Sequence, residues 1–202
     1  MTDKSNVIEQ TKAAFDFIER LYVETSYLIK QLEGVLAKEP EAFNIGRPGG
    51  YGVTTSRSAG LDSDNVRLWL MTKFSVFFIP KAATHLERGQ SVTKLEPNLR
   101  VLYFRFLLHG KDIVEPTAYG GVLFNIAKKS AAKWITKFEH IMGYIEYNDG
   151  KVFRSLEEID YQDSYINLRG RLVSTNLFDI NDSEAITDKL IRPGLSLYRN
   201  RT

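Results

Sequence analysis

Residues Leu99-Arg100-Val101-Leu102-Tyr103-Phe104-Arg105-Phe106-Leu107-Leu108 decide the fold class. Leu102, Phe104, Phe106 and Leu108 fall on even positions, whereas Tyr103, Arg105 and His109 fall on odd ones. That alternation is the period-two signature of a β-strand with an apolar and a polar face. His109-Gly110-Lys111-Asp112 then carries turn chemistry. Thr117 to Ile126 resumes as a strand, and Gly120-Gly121 within it predicts a bulge or a close backbone approach.

Working outward, Val66 to Thr72 and Phe74 to Ile79 are rich in Trp, Phe and Val with apolar residues on both faces, which predicts strand covered on both sides. Ser164 to Thr175 alternates Ile166, Leu168, Gly170 and Leu172 against Tyr165, Asn167, Arg169 and Arg171. Between these strands, Ala131, Trp134, Ile135, Phe138, Ile141, Met142 and Ile145 share one side of a helical wheel. This spacing predicts a second amphipathic helix over about 129–146, started at Ser130 and ended by Asn148-Asp149-Gly150. A short helix is expected from Ser183 to Leu190, stopped by Pro193-Gly194, with a last strand over Leu195 to Tyr198. The pattern is α+β: a mainly antiparallel sheet with a long N-terminal helix.

That first helix is the clearest periodic signal in the chain. Ile8, Phe15, Tyr22, Ile29 and Leu36 recur every seven residues, Ile18 and Leu32 fall between them with Thr11 and Thr25, and Val7, Ala14, Leu21, Leu28 and Val35 form an adjacent row. Asn6 with Glu9 suggests a capping box, and Gly34, Lys38 and Pro40 suggest the stop. About 30 residues rising 1.5 Å each make a rod of roughly 45 Å, longer than a small domain is wide. Part of it is expected to project unless something covers it. The expected organisation is therefore residues 1–40 as helix and dimerisation element, 41–64 as a Gly/Pro-rich linker, and 65–202 as an α+β domain sharing one core with the helix.

Composition sets the outer bounds. The chain has 202 residues, 43% of them hydrophobic and 26% charged, which suits one globular core and excludes intrinsic disorder. With no cysteine there is no disulfide, thiolate chemistry or thiolate–metal site, which fits a reducing, cytoplasmic setting. No apolar run approaches the roughly 18 residues a membrane span needs, and the N-terminus lacks the basic-then-apolar layout of a signal peptide. The net charge of +2 creates no global field for nucleic acid. Its distribution is uneven: residues 101–143 hold six basic and three acidic groups, residues 144–183 four and eight.

Gly46-Arg47-Pro48-Gly49-Gly50-Tyr51-Gly52 resembles a phosphate cradle to which Arg47 or Arg57 could add charge, but it lacks the strand-before-helix setting of such loops and reads more simply as a hinge. Ser130-Ala131-Ala132-Lys133 matches Ser-x-x-Lys formally, without companion motifs. His85, His109 and His140 have no metal-ligand spacing, so neither metal nor cofactor is expected. The polar strand residues Tyr103, Arg105 and His109, with Tyr165, Arg169 and Arg171, are candidates to meet as an Arg/Tyr-lined ligand surface, although a solvated sheet face reads alike. Lys129, Lys133 and Lys137, beside Lys128, form an i, i+4 row that could contact a nucleic-acid backbone. The expected function is a non-catalytic binding or regulatory module. It would form a homo-oligomer through residues 6–37 and bind an anionic small molecule or protein partner. Nucleic-acid binding through the lysine row and Arg169/Arg171 is the alternative, and a small enzyme with an unrecognised site the third reading.

Overall fold

The structure is a computed structural model that describes residues 4–46, 72–87, 90–96, 99–109 and 114–200. The chain begins with α1 (Lys4–Leu36) and continues through β1 (Phe43–Gly46), β2 (Lys73–Pro80), β3 (Thr84–Glu87), β4 (Gln90–Thr93), β5 (Leu99–Leu107) and β6 (Thr117–Lys128). Helices α2 (Phe138–Tyr147) and α3 (Asp149–Val152) follow, then β7 (Ile159–Gln162), β8 (Ile166–Asn176) and a terminal helical run, α4 (Ser183–Ile186) to α5 (Arg192–Arg199). Six strands form an antiparallel sheet in the order β1-β2-β5-β6-β8-β7, and β3 with β4 makes a separate hairpin. The architecture is α+β, with helices on both faces of the sheet.

Those two faces explain the central strands. Val101 and Tyr103 of β5 pack with Phe77, Leu123, Leu168 and Leu172 beneath Phe138, Ile141, Met142 and Ile145 of α2. Leu102, Phe104 and Phe106 pack on the other face beneath Leu28, Leu32 and Leu36 of α1 and Ile186, Leu190 and Leu195 of the terminal run. An antiparallel sheet usually wets one face; here both faces of the central strands are dry, so β2 and β5 are almost continuously apolar. The alternation in β5 is thus real, but its odd face is a second core rather than a solvated surface. Gly120 and Gly121 mark the expected close approach. A Cβ on Gly120 would lie 3.1 Å from the Leu190 carbonyl oxygen, and one on Gly194 would lie 3.4 Å from the Gly121 nitrogen. The bulge falls further along β6, where register shifts between Phe124 and Ala127 and Asn125 takes φ 50°.

Several boundaries differ from the sequence expectations. The second helix starts at Phe138, not near 129: residues 129–137 form turns whose N–H groups bond locally, Ala132 to Lys129 O and Ile135 to Ala132 O, while Ala132 and Ile135 still reach the core. Pro193-Gly194 does not stop the terminal helix, and Leu195 to Tyr198 is helix rather than strand. A π-turn over Thr187–Ile191 widens the backbone just before Pro193, with Arg192 N–H donating to Thr187 O, and Gly194 lets the helix lie close on the sheet. Asn6 lies inside α1, which already starts at Lys4. Strand β1 occupies residues assigned to linker, and His85 sits on β3. Residues 66–71 and the glycine-rich stretch with Arg47 and Arg57 lie outside the described residues.

Candidate functional site

Helix α1 is 33 residues long, about 50 Å at 1.5 Å per residue. Only its C-terminal half meets the body: Thr25, Leu28, Leu32 and Leu36 are buried, whereas from Lys4 to Arg20 every residue is exposed except partly buried Ile18. The apolar stripe that packs onto the sheet as Leu21, Leu28 and Leu32 continues beyond the body as Ile18, Phe15, Ile8 and Val7. Phe15 is 66% exposed and Ile8 59%. Where helix and body part, a cavity of about 340 Å³ opens between Phe17, Leu21 and Leu28 of α1 and Leu177, Phe178 and Ile186. The stripe was legible from heptad spacing. That the body stops serving it near residue 21 was not, because this depends on where the sheet ends.

The expected Arg/Tyr surface is not assembled. Strand β6 separates β5 from β8, and the arginines point to opposite faces: Tyr103 and Arg105 lie on the α2 side, where Tyr103 aligns with Gly121 and Leu172, whereas Arg169 and Arg171 oppose Phe124 and Val122 on the other; Tyr165, just before β8, packs against Tyr144 of α2. Tyr103 is fully buried and Arg105 is 4% exposed. Arg105 Nη1 donates to Glu146 Oε2 at 2.9 Å, Nη2 donates to Asp149 Oδ2 at 2.5 Å, and the guanidinium lies 4.7 Å from the Phe153 ring centroid. The Tyr103 hydroxyl donates to Glu146 Oε1, and Lys73 Nζ bonds Asp149. Burial opposes the charge on Arg105, but Tyr103, Glu146 and Asp149 outweigh it and hold the proton more firmly than usual. Burial, then the Glu146 charge, push the Tyr103 phenol well above its ordinary range. This network ties α2 and α3 to the sheet; its basic group is already neutralised by two carboxylates.

The remaining candidates are dispersed. His109 is exposed just past β5, with its backbone N–H and that of Leu108 both donating to Thr72 O. Arg169 pairs with Asp160 at 3.3 Å on the exposed β7–β8 edge. Together with Arg100, Arg171 and Phe124, Arg169 lines a hollow of about 450 Å³ that also contains Glu158 and Asp160. The lysine row is not a helix face: Lys129 and Lys133 lie in the turns before α2, with Lys137 capping the helix. Lys128 Nζ donates to Ile135 O and Lys129 Nζ to Asp163 O. Ser130 is likewise in a turn, not at a helix start. Among the described residues no cluster of three or more His, Asp and Glu is placed to hold a metal, and no helix is long and apolar enough to cross a membrane.

One cluster escaped the sequence reading. Asp163, between β7 and β8, accepts through Oδ2 from the Tyr144 and Tyr161 hydroxyls at 2.6 and 2.8 Å, and through Oδ1 from the Tyr165 and Ile166 N–H groups, both at 2.8 Å. Burial works against its charge, but these donors win and lower its pKa to about 2. The same environment pushes both phenols up, through burial first and then Asp163. Beside it, Trp134, Tyr144 and Tyr165 stand with centroids 5.5, 5.8 and 6.3 Å apart and planes inclined by 51–77°. The Asp163-Ser164-Tyr165 turn was findable as an Asx turn from sequence; the convergence of the three rings was not.

No known protein family, curated protein or solved structure matches the chain.

Proposed function

We propose that the protein is a cytoplasmic, non-catalytic binding module that self-associates through α1, two copies pairing the projecting stripes of their N-terminal helices. The observation that carries this reading is the stripe itself, continued past the body with Val7, Ile8, Phe15 and Phe17 exposed. Tyr27 extends the exposed apolar surface beside the cavity. Five such side chains at roughly 100 Å² each give about 500 Å² per chain and about 1,000 Å² for a two-fold pair, the least a specific interface needs. Seven-residue spacing suits a supercoiled helix pair, and Glu9, Lys12, Asp16, Glu19 and Arg20 supply charges of both signs along the flanks.

Sedimentation equilibrium of the full chain, alone and as Ile8→Asp/Phe15→Asp, tests it. The expected result is a dimer that becomes monomeric in the variant with an unchanged circular-dichroism spectrum, since neither residue touches the body. A wild-type monomer at every concentration overturns the proposal. A second reading assigns a small anion to the hollow lined by Arg100, Arg169 and Arg171, supported by three guanidinium groups around one opening. Its test is inorganic phosphate binding followed by isothermal calorimetry; heats unchanged in Arg169→Ala/Arg171→Ala remove it.

A further inference from the structure

We propose that the open edge of β7 is a docking site for an extended basic segment of another protein, which adds to the sheet as a further strand. This surface is separate from α1, and the inference goes beyond self-association. Strand β7 ends the strand order and pairs only with β8. The Asp163 N–H donates to Ile166 O at 3.1 Å, and bonded and unbonded positions alternate along an antiparallel ladder. With Ile159 opposite Gly170 and Tyr161 opposite Leu168, the backbone groups of those two residues face β8, whereas the N–H and C=O groups of Asp160 and Gln162 face outward. Among the described residues nothing pairs with them on that side. An edge of this kind is where an extended peptide gains main-chain hydrogen bonds, with its alternate side chains supplying the specificity.

The charges of the edge select the occupant. Residues 157–163 carry Glu157, Glu158, Asp160 and Asp163 and no basic side chain. Glu157, Glu158, Asp160 and Gln162 are exposed, and neither glutamate has an ion pair among the described residues. A strand added beside β7 lies about 4.8 Å from it, so the side chains of β7 are its first neighbours. The arginines of β8 stand one strand further in, and Arg169 is already paired with Asp160. Opposite charges on facing residues stabilise a strand pair, and like charges oppose it. Ile159 and Tyr161 turn to the α2 side, where a hollow of about 500 Å³ between β7 and α3 is lined by Tyr144, Asn148, Lys151 and Arg154. Lys151 and Arg154 repel further cations there, so that face suits small hydroxyl side chains such as threonine, which also favours strands. The occupant is therefore an alternating segment, basic on the Asp160 face and threonine-like on the α2 face. A second copy of β7 fits less well, because it would bring the same carboxylates to an acidic edge.

Titration of the full protein with the hexapeptide Lys-Thr-Lys-Thr-Lys-Thr, acetylated and amidated, tests this by NMR of the backbone amides. The expected result is saturable binding at least tenfold tighter than for the same peptide with aspartate in place of lysine, with the Asp160 and Gln162 amides slowed in hydrogen exchange. In antiparallel pairing the lysines face Asp160 and Gln162 and exchange hydrogen bonds with them. N-methylation of the lysine amides should therefore abolish binding, whereas N-methylation of the threonine amides should leave it within about threefold. Gln162→Pro removes one outward N–H without breaking the ladder to β8 and should weaken binding at least tenfold. Glu158→Gln/Asp160→Asn leaves the backbone edge intact and should weaken it at least fivefold. No binding at about 1 mM peptide, equal binding of the aspartate peptide, or binding unchanged by lysine N-methylation overturns the proposal. A wild-type dimer that Gln162→Pro makes monomeric assigns the edge to a second copy and overturns it as well.

Discussion

Replacing Arg105 by Met should destabilise the protein by about 3 kcal/mol, and the figure follows from what surrounds the guanidinium. It is 4% exposed and held by Glu146 and Asp149, each about one-fifth exposed. Removing one partner from a wholly buried ion pair costs about 3–5 kcal/mol, because the charge left behind has neither water nor counter-ion. Here Asp149 keeps Lys73 and both carboxylates keep some solvent, which places the cost at the lower end. For a chain of this size, each kcal/mol corresponds to about 2–4 °C, so the melting temperature should fall by about 6–12 °C. Methionine fills much of the same volume, so little of the loss is cavity. Thermal melts and urea titrations at pH 7 measure it. The double variant Arg105→Met/Glu146→Gln should be no less stable than Arg105→Met alone, because it removes the carboxylate whose cation has gone. The pH dependence carries a sign as well. Burial raises the Asp149 pKa, but Lys73 and Arg105 lower it further than burial raises it, so it lies below its ordinary value of 3.8. A depressed carboxyl stabilises above its unfolded pKa and loses that contribution as pH falls through the folded one. The gap between wild type and Arg105→Met should therefore narrow below about pH 4. A variant melting within about 2 °C of the wild type at pH 7, or a double variant whose losses simply add, would show that the network is not the buried charge cluster described.

Three further substitutions test other parts of the fold. Gly121→Ala would put a Cβ 2.0 Å from the Arg171 carbonyl oxygen, so a loss exceeding about 4 kcal/mol is expected in urea denaturation. Gly34→Ala, with nothing within 4 Å in exposed α1, should instead gain about 0.5–1 kcal/mol, and equal midpoints for the two would contradict this packing. Asp163→Asn should cost about 1 kcal/mol at neutral pH by weakening the turn into β8. The wild-type advantage, present above the ordinary Asp value of 3.8, should disappear as pH falls toward 2, read from melts between pH 7 and 2.

How much of this was legible in the sequence varies by element. The strand at 99–108 and the helix over the first 36 residues were readable because each carries its periodicity locally, over enough residues to separate period two from 3.6. The segment 129–137 misled because Ala132, Ile135 and Phe138 are three apart in a turn-rich path as they would be on a helix, and both paths bury them. Pro193-Gly194 misled because a local breaking signal was overridden: a π-turn precedes the proline, and the glycine packs against Gly121 and Leu102. Arg105 read as a wet strand face because its partners, Glu146 and Asp149, lie more than forty residues away on a helix whose docking position the strand does not encode.

The sequence by itself determined the class of the protein: one core-forming α+β chain, antiparallel in its sheet, with a helix longer than its body can cover. These follow from chain length and from periodicities that each segment carries alone. Only the tertiary structure decided which faces are dry, which charges are already paired, and which aromatic side chains converge. Those properties belong to pairs of residues far apart in the chain, and the packing of helices on both faces of the sheet creates them. The polar residues of β5 thereby became a buried lock. The end of α1 was left exposed, and Trp134, Tyr144 and Tyr165, from three segments with no common motif, came into ring contact.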